Sequence, residues 1–337
     1  MPSSKQRPPT STGRRRMLTT LSLAASIASI GPARAQSATF PIRPIRLVVP
    51  FPPGGGADFM GRQLAQRLGA RLPHPVVVDN RPGASGIIGS TTVAHAAPDG
   101  YTLLLATTGT HSSNPAAYVE LPYHPTRDYV PVAIFADAPF MLCIHERLPI
   151  QNVAELIAYS KANPEALTYG SAGTGSSTHL GFEALKVATG IHARHVPYKG
   201  LPPAMADTLA GHLSMTFDSI QSALPQLAAK RLRVLGVGSA KRVPGLEQVP
   251  TLAESVPEFT LGSWYGVLAP SGTPAAIVER LNGEINALLA TGEFRDVLAA
   301  AGATPLIADP ARTARYLADD IARWRKVAVD LDIKVEK

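Results

Sequence analysis

Short apolar runs alternate with glycine-rich turns and amphipathic stretches along most of the chain. Residues 45–49, 76–78 and 101–106 are near-continuous runs of Ile, Leu and Val, the pattern of strands covered on both faces of a sheet. The first runs into PFPPGGGAD (50–58). A stretch follows in which Phe59/Met60, Gln63/Leu64 and Arg67/Leu68 separate apolar from polar faces, which predicts a helix. The second leads through RPGASG (81–86) to a predicted helix over 85–94, and the third ends in TTGT (107–110). Strand, glycine-rich turn, helix, strand predicts parallel α/β construction.

The same grammar restarts after about residue 130. A strand is expected over 138–144 and a helix over 152–162, with Asn152 as N-cap, Glu155 three residues on and Asn163-Pro164 as the stop. A strand over 167–169 opens into SAGTGSSTH (171–179) and a helix to about Thr189; a strand over 193–196 enters PYKG (197–200). Then come a helix to Ala210, a strand over 214–217, a short helix and a strand over 233–237. A last strand (264–268) precedes three helices, which open at Thr273-Pro274, near Glu293 and at Asp309-Pro310. The expectation is an α/β fold of two lobes, each a mostly parallel sheet flanked by helices. Residues 36–137 plus 263–337 would form lobe 1 and 138–262 lobe 2, with a ligand cleft between them at the strand ends.

Charge sharpens this picture. The formal net charge is +7, which would suit a nucleic-acid or acidic-membrane partner. Six of the 32 basic residues, however, fall in residues 1–35, where there is no acid, so that 26 basic residues face 25 acidic ones in the remainder. That basic segment has the parts of a secretory signal: Arg14-Arg15-Arg16, an uncharged stretch from 18 to 30, and Ala33-Arg34-Ala35 as a small-x-small cleavage motif. The expectation is export to the periplasm with cleavage near Ala35. The arginine cluster suits a twin-arginine route and leaves a Sec route open. No later apolar run approaches the roughly 18 residues of a membrane helix. The lone Cys143 sits in an apolar run and reads as a small buried hydrophobe.

Catalytic motifs are lacking. There is no G-x-S-x-G elbow, and His192 with His195 has no glutamate of the zincin type, so neither a nucleophile, a metal site nor a cofactor is expected. PFPPGGGAD is neither a P-loop nor a dinucleotide fingerprint; successive glycines ahead of a helix suit an anion held by backbone amides. TTGTHSSN (107–114) and SAGTGSSTH offer neutral hydroxyl donors. His179 either lines a pocket or caps a helix, Asp218 either meets a ligand or caps a helix, and Lys199 either faces the cleft or is a solvated turn residue.

Five segments together resemble one family along essentially the whole chain beyond residue 36. They are PIRLVVPFPPGGGAD (44–58), VVVDNRPGASGIIG (76–89), APDGYTLLLATTGTHSSNP (97–115), YGSAGTGSSTHLG (169–181) and VPYKGLPPAMADTLAGHLSMTFDS (196–219). The chain resembles the periplasmic solute-binding proteins of tripartite tricarboxylate transporters, the Bug receptors. The resemblance implies a monomeric Venus-flytrap receptor closing on a small carboxylate, with no nucleic-acid partner, that serves membrane carrier subunits. Carried onto matching positions, it implies ligand contacts at Phe51, Pro53, Gly55, Ala57, Thr107, Thr108, His111, Ser171, Gly175, Ser176, His179 and Asp218. A ligand-presenting sensor or an exported enzyme using the same cleft stands as the alternative; the missing catalytic motifs weigh against the enzyme.

Overall fold

A computed structural model describes residues 40–336, so the basic leader and its cleavage motif lie outside the described residues. The chain opens with β1 (Ile45–Val49), α1 (Gly56–Arg71), β2 (Val76–Asn80), α2 (Ile87–Ala94), β3 (Thr102–Thr107) and α3 (Asn114–Ala117). β4 (Tyr129–His145) carries it into a second set: α4 (Val153–Ala162), β5 (Thr168–Ser171), α5 (Ser177–Thr189), β6 (Arg194–Pro197), α6 (Leu201–Ala210), β7 (Met215–Ser219), α7 (Ile220–Ala228) and β8 (Leu232–Val237). β9 (Gly262–Pro270) returns to the first set and is followed by α8 (Ala275–Leu289), α9 (Gly292–Ala300), β10 (Thr304–Pro305) and α10 (Pro310–Asp330).

The strands run β2-β1-β3-β9-β4-β7-β5-β6 in one path, with β10 and β8 also paired to β4. β1 is parallel to β2 and β3, and β5 is parallel to β6 and β7. β4 joins the two parallel groups. Its first part, from Tyr129 to Pro139, is antiparallel to β9, and its second part, from Phe140 onward, is antiparallel to β7 and β8. Two α/β lobes thus share one strand.

The strand expected over 138–144 is the far end of a 17-residue strand. Pro131 hides its length in the sequence, whereas Pro139 falls inside the expected strand. Pro131 sits at a register shift against β9, and Pro139 faces Gly262 near the start of β9. A bulge is where a strand tolerates a residue without an N–H.

Alternation along each strand sorts the apolar runs into faces. Ile45, Leu47 and Val49 pack with Leu103 and Leu105 under α1 and α8, while Val48, Leu104 and Ala106 face the other way, toward Leu317 and Ile321 of α10. In the second lobe Leu142 and Ile144 pack with Tyr169, Phe182 and Phe217, and Met141 and Cys143 with Ile220 and Val237. Cys143 is a fully buried thiol, as its apolar setting implied. α10 begins at Asp309, whose side chain accepts from Arg312 N–H at 2.6 Å, and it serves both lobes. Its far end, Trp324 and Ala328, packs into the second lobe's core. Among the described residues no helix is long and apolar enough to cross a membrane.

Candidate ligand-binding site

The three glycines after β1 have three different reasons. Gly54 has φ +87°, a left-handed conformation, and open space where a Cβ would sit. A Cβ on Gly55 would lie 3.1 Å from Pro202 of α6. One on Gly56 would lie 2.9 Å from both Ser219 Cβ and Gln221 Nε2 and 3.0 Å from Tyr265 Oη. The last two glycines therefore permit close approach of the second lobe. Asp58, one turn into α1, holds the loop from behind. Its carboxylate accepts from Gly54 N–H (3.0 Å), Arg62 (2.9 Å) and Asn80 Nδ2 (3.0 Å). Burial alone would raise its pKa, but these donors hold it below the usual carboxylate range.

A small cavity of about 50 Å³ lies between this loop and the second lobe. Gly56 and Ala57 at the start of α1, Ser176, Ser177 and Thr178 at the start of α5, and Leu201 and Pro202 at the start of α6 all line it. Three helix N-termini, from both lobes, thus face one space. Such termini carry unpaired N–H groups, save at Pro202 and Pro203 of α6, and a partial positive charge. Thr107, Ser263 and Tyr265 add hydroxyls, Phe51 and Phe140 apolar walls, and no lining side chain is charged. At about 50 Å³ the space is far below the roughly 300–1,000 Å³ of a pocket for a drug-sized ligand. It suits a single anionic group.

Of the residues expected in the site, Phe51, Gly55, Ala57, Thr107 and Ser176 line this cavity. Pro53 is exposed at the tip of its loop. The others stand behind the lining. Thr108 Oγ1 accepts from Trp264 N–H at 3.0 Å. Ser171 Oγ and His195 Nε2 lie 2.6 Å apart, and Ser171 Oγ also accepts from Gly173 N–H. Gly175 N–H donates to His179 Nδ1 at 3.2 Å, so His179 holds the loop that leads into α5, and its ring stacks on His195 at 4.1 Å. Ser176 caps α5 through His179 N–H.

His111 and Asp218 are both fully buried. TTGTHSSN, expected as a loop, is a π-helical turn (Gly109–Ser113) leading into α3. Two of its hydroxyls turn inward on their own backbone, Thr110 Oγ1 to Thr107 O and Ser113 Oγ to Gly109 O, which helps the segment bury. His111 stacks on Tyr123 and meets Tyr129 edge to face, and burial pushes its pKa down to about 3, so it is neutral. Phe140, Ala172, Leu201, Pro202, Ser263 and Tyr265 were missed by sequence reading. Ala172, Leu201 and Pro202 lie in the quoted segments but offer no polar side chain, while Phe140, Ser263 and Tyr265 lie outside them and only the sheet order brings β4 and β9 to the cavity.

The sequence pattern of the family described as "Tripartite tricarboxylate transporter family receptor" matches residues 60–333. The chain belongs to this family. Its fold is the two-lobed one of the periplasmic binding proteins in that family. The structure of Rpa4515 from R. palustris with adipate is 38% identical, with a TM-score of 0.85 over 88% of this chain and 100% of that one. Periplasmic binding protein BugD is 33% identical, with a TM-score of 0.84 over 88% and 100%. MatC from Rhodopseudomonas palustris with bound malate is 32% identical, with a TM-score of 0.80 over 86% and 99%. These are solute-binding receptors, not enzymes.

In this receptor the lobes also touch outside the cavity. Ala84 and Ser85 have φ of 46° and 54°, rare for residues with a Cβ. The strained turn is held from both sides. Asn114 Nδ2 donates to Ser85 O at 2.9 Å, and Ser85 Oγ donates to Thr174 O of the second lobe at 2.7 Å. Tyr118 Oη donates to the same carbonyl at 3.0 Å. Thr174 O is thereby doubly satisfied by the first lobe.

Behind α5, Glu183 accepts from Lys186 (2.8 Å) and Tyr169 Oη. Burial alone would raise its pKa, and these donors hold it below the usual range. Burial, with His179 adjacent, pushes His195 down to about 4. The imidazoles behind the loop are thus neutral near pH 7.

Proposed function

We propose that this receptor captures a small carboxylate between its lobes and presents it to the membrane subunits of a tripartite carrier. The observation that carries the reading is the convergence of the α1, α5 and α6 N-termini on one cavity with no charged side chain. Amides and hydroxyls hold an anion there without a fixed cation. Bound adipate and malate in two similar structures support the ligand class. Phe51, Gly55, Ala57, Thr107 and Ser176 would touch the carboxylate. Ser171, Gly175, His179 and Asp218 would fix the loops that do, with Thr108 and His111 supporting the first lobe's side and Pro53 at the rim.

The lobes in this reading are 36–137 plus 263–337 and 138–262, the hinge lying where β4 and β9 pass between them. Export with cleavage near Ala35 would place the receptor in the periplasm. A thermal-shift screen of mono- and dicarboxylates against sugars and cations tests the reading. A bound carboxylate at 100 times its Kd should stabilise the fold by about 2.7 kcal/mol, a Tm rise of about 4 °C for a chain of this size. A rise with a sugar or cation but with no carboxylate would refute it. The carboxylate giving the largest shift should bind Ser85→Ala about fivefold more weakly, as one lost interlobe hydrogen bond of roughly 1 kcal/mol implies. Isothermal titration reads this directly.

A further inference from the structure

Asp218 stands near the end of β7, fully buried, and no cation acts on it. Its Oδ1 accepts from Ser219 N–H and Ser219 Oγ, while its Oδ2 has no partner among the described residues. The titratable groups that face it are Cys143 on β4 and Tyr265 on β9. Burial raises both above their ordinary values and the Asp218 charge adds to this, with Asp137 also acting on Tyr265. Both are therefore neutral, and neither supplies a counter-charge. Asp58 in α1 is the contrast: it is buried too, but Arg62 pairs with it at 2.9 Å.

This carboxyl sits just behind the anion cavity. Ser219, whose hydroxyl donates to it at 3.2 Å, has its Cβ 2.9 Å from where a Cβ on Gly56 would lie. Gly56 and Tyr265 both line the cavity. Through these contacts the carboxyl lies no more than about 9 Å from Gly56 Cα. A carboxylate held at the α1 terminus is then a second negative charge on the order of 9 Å from the first. At the effective dielectric of about 20 that suits buried sites, such a pair shifts each partner's equilibrium by about tenfold. No charged side chain lines the cavity to offset this repulsion.

We propose that the receptor captures its carboxylate together with a proton, which it takes from solvent and holds on Asp218. The proposal rests on the reading that the cavity holds a carboxylate. Protonation removes the repulsion between the two carboxyls, and release of the solute returns the proton to solvent. Capture therefore tightens as pH falls. Burial already raises the Asp218 pKa to about 6, against the pull of its Ser219 and Ser222 donors. A second anion beside it carries the exchange up through neutral pH. Burial pushes the imidazoles behind the loops, His111, His179 and His195, the other way. Asp137 is the other aspartate that burial raises among the described residues, and it serves as the control.

The test is isothermal titration of the full receptor between pH 6 and pH 8, in buffers of low and high ionisation enthalpy. The probe is the tightest binder among acetate, benzoate, succinate, glutarate and adipate. Wild type should bind about fivefold more tightly at pH 6 than at pH 8, and take up about half a proton per solute near pH 6.5. Asp218→Asn should lose that uptake, keep only the solute's own titration, and bind up to about tenfold more tightly than wild type at pH 8. Asp137→Asn should keep the wild-type profile. The buffer dependence of the wild-type enthalpy counts the proton without any variant. No uptake in wild type, or the same uptake in Asp218→Asn, would overturn the proton site while carboxylate capture stands. If none of the five acids binds at any pH, carboxylate capture itself fails and the proton site with it.

Discussion

Gly56→Val should raise the Kd for the captured carboxylate by up to about a hundredfold while leaving the far-UV circular dichroism spectrum unchanged. Gly56 opens α1, and the atoms a Cβ would strike belong to Ser219 and Gln221 of the second lobe and to Tyr265 on β9. Separating the lobes relieves most of the collision, so the variant folds and stays open. Overpacking of this kind costs roughly 1–3 kcal/mol. A penalty of about 3 kcal/mol set against closure lowers the binding-competent fraction about a hundredfold, and apparent affinity falls with it. Gly54→Ala is the control. Its φ of +87° makes a side chain strained, but nothing lies within 4 Å of the added Cβ. That variant should lose about 1 kcal/mol of stability and keep its affinity within about threefold. Isothermal titration and thermal melts of both variants separate approach from conformation. Tight binding by Gly56→Val would show that the bound state does not bring the loop against the second lobe.

These glycines show what the sequence could and could not convey. GGG between a strand and a helix marks a backbone that something approaches closely, and the position of Asp58 at the helix start was visible too. What approaches was not. Pro202, Ser219, Gln221 and Tyr265 come from distant segments, and only sheet order brings them to α1. β1, β2 and β3 were legible because each carries an apolar run and is followed by a turn that contains glycine. β4 reads short in the sequence because Pro131 imitates a strand end, whereas Pro139 falls inside the expected strand.

TTGTHSSN failed for a different reason. Hydroxyl-rich composition reads as a solvated loop, whereas here Thr110 and Ser113 bond their own backbone and the whole segment is buried. The loop residues that touch the cavity and those that brace them share one composition. Ser176 and Ser171 look alike in sequence, yet Ser176 lines the space while Ser171 meets His195 behind it.

Asp218→Asn should stabilise the receptor by about 2–3 kcal/mol at pH 7.5 and hardly at all at pH 4. Asp218 lies on β7 opposite Met141 with no exposed surface. One carboxyl oxygen accepts from Ser219 N–H (2.7 Å) and Ser219 Oγ (3.2 Å); the other has no partner. Burial raises its pKa to about 6 from 3.8, against the pull of the Ser219 donors. Because the folded pKa is the higher one, the folded state binds the proton more tightly. Ionisation therefore costs nothing below about pH 4, grows through pH 4–6 and is complete above about 6. Two units at about 1.4 kcal/mol each come to about 3 kcal/mol. Asparagine keeps the acceptor for Ser219 and never ionises, so its advantage should appear only as pH rises through that window. Urea melts at pH 4 and 7.5 measure it, and an equal difference at both values would place the carboxylate in contact with a compensating donor. The buried charge is a standing cost to the fold near pH 7. Gln221, whose two amide atoms are also unpartnered, sits at the contact that Gly56 leaves open.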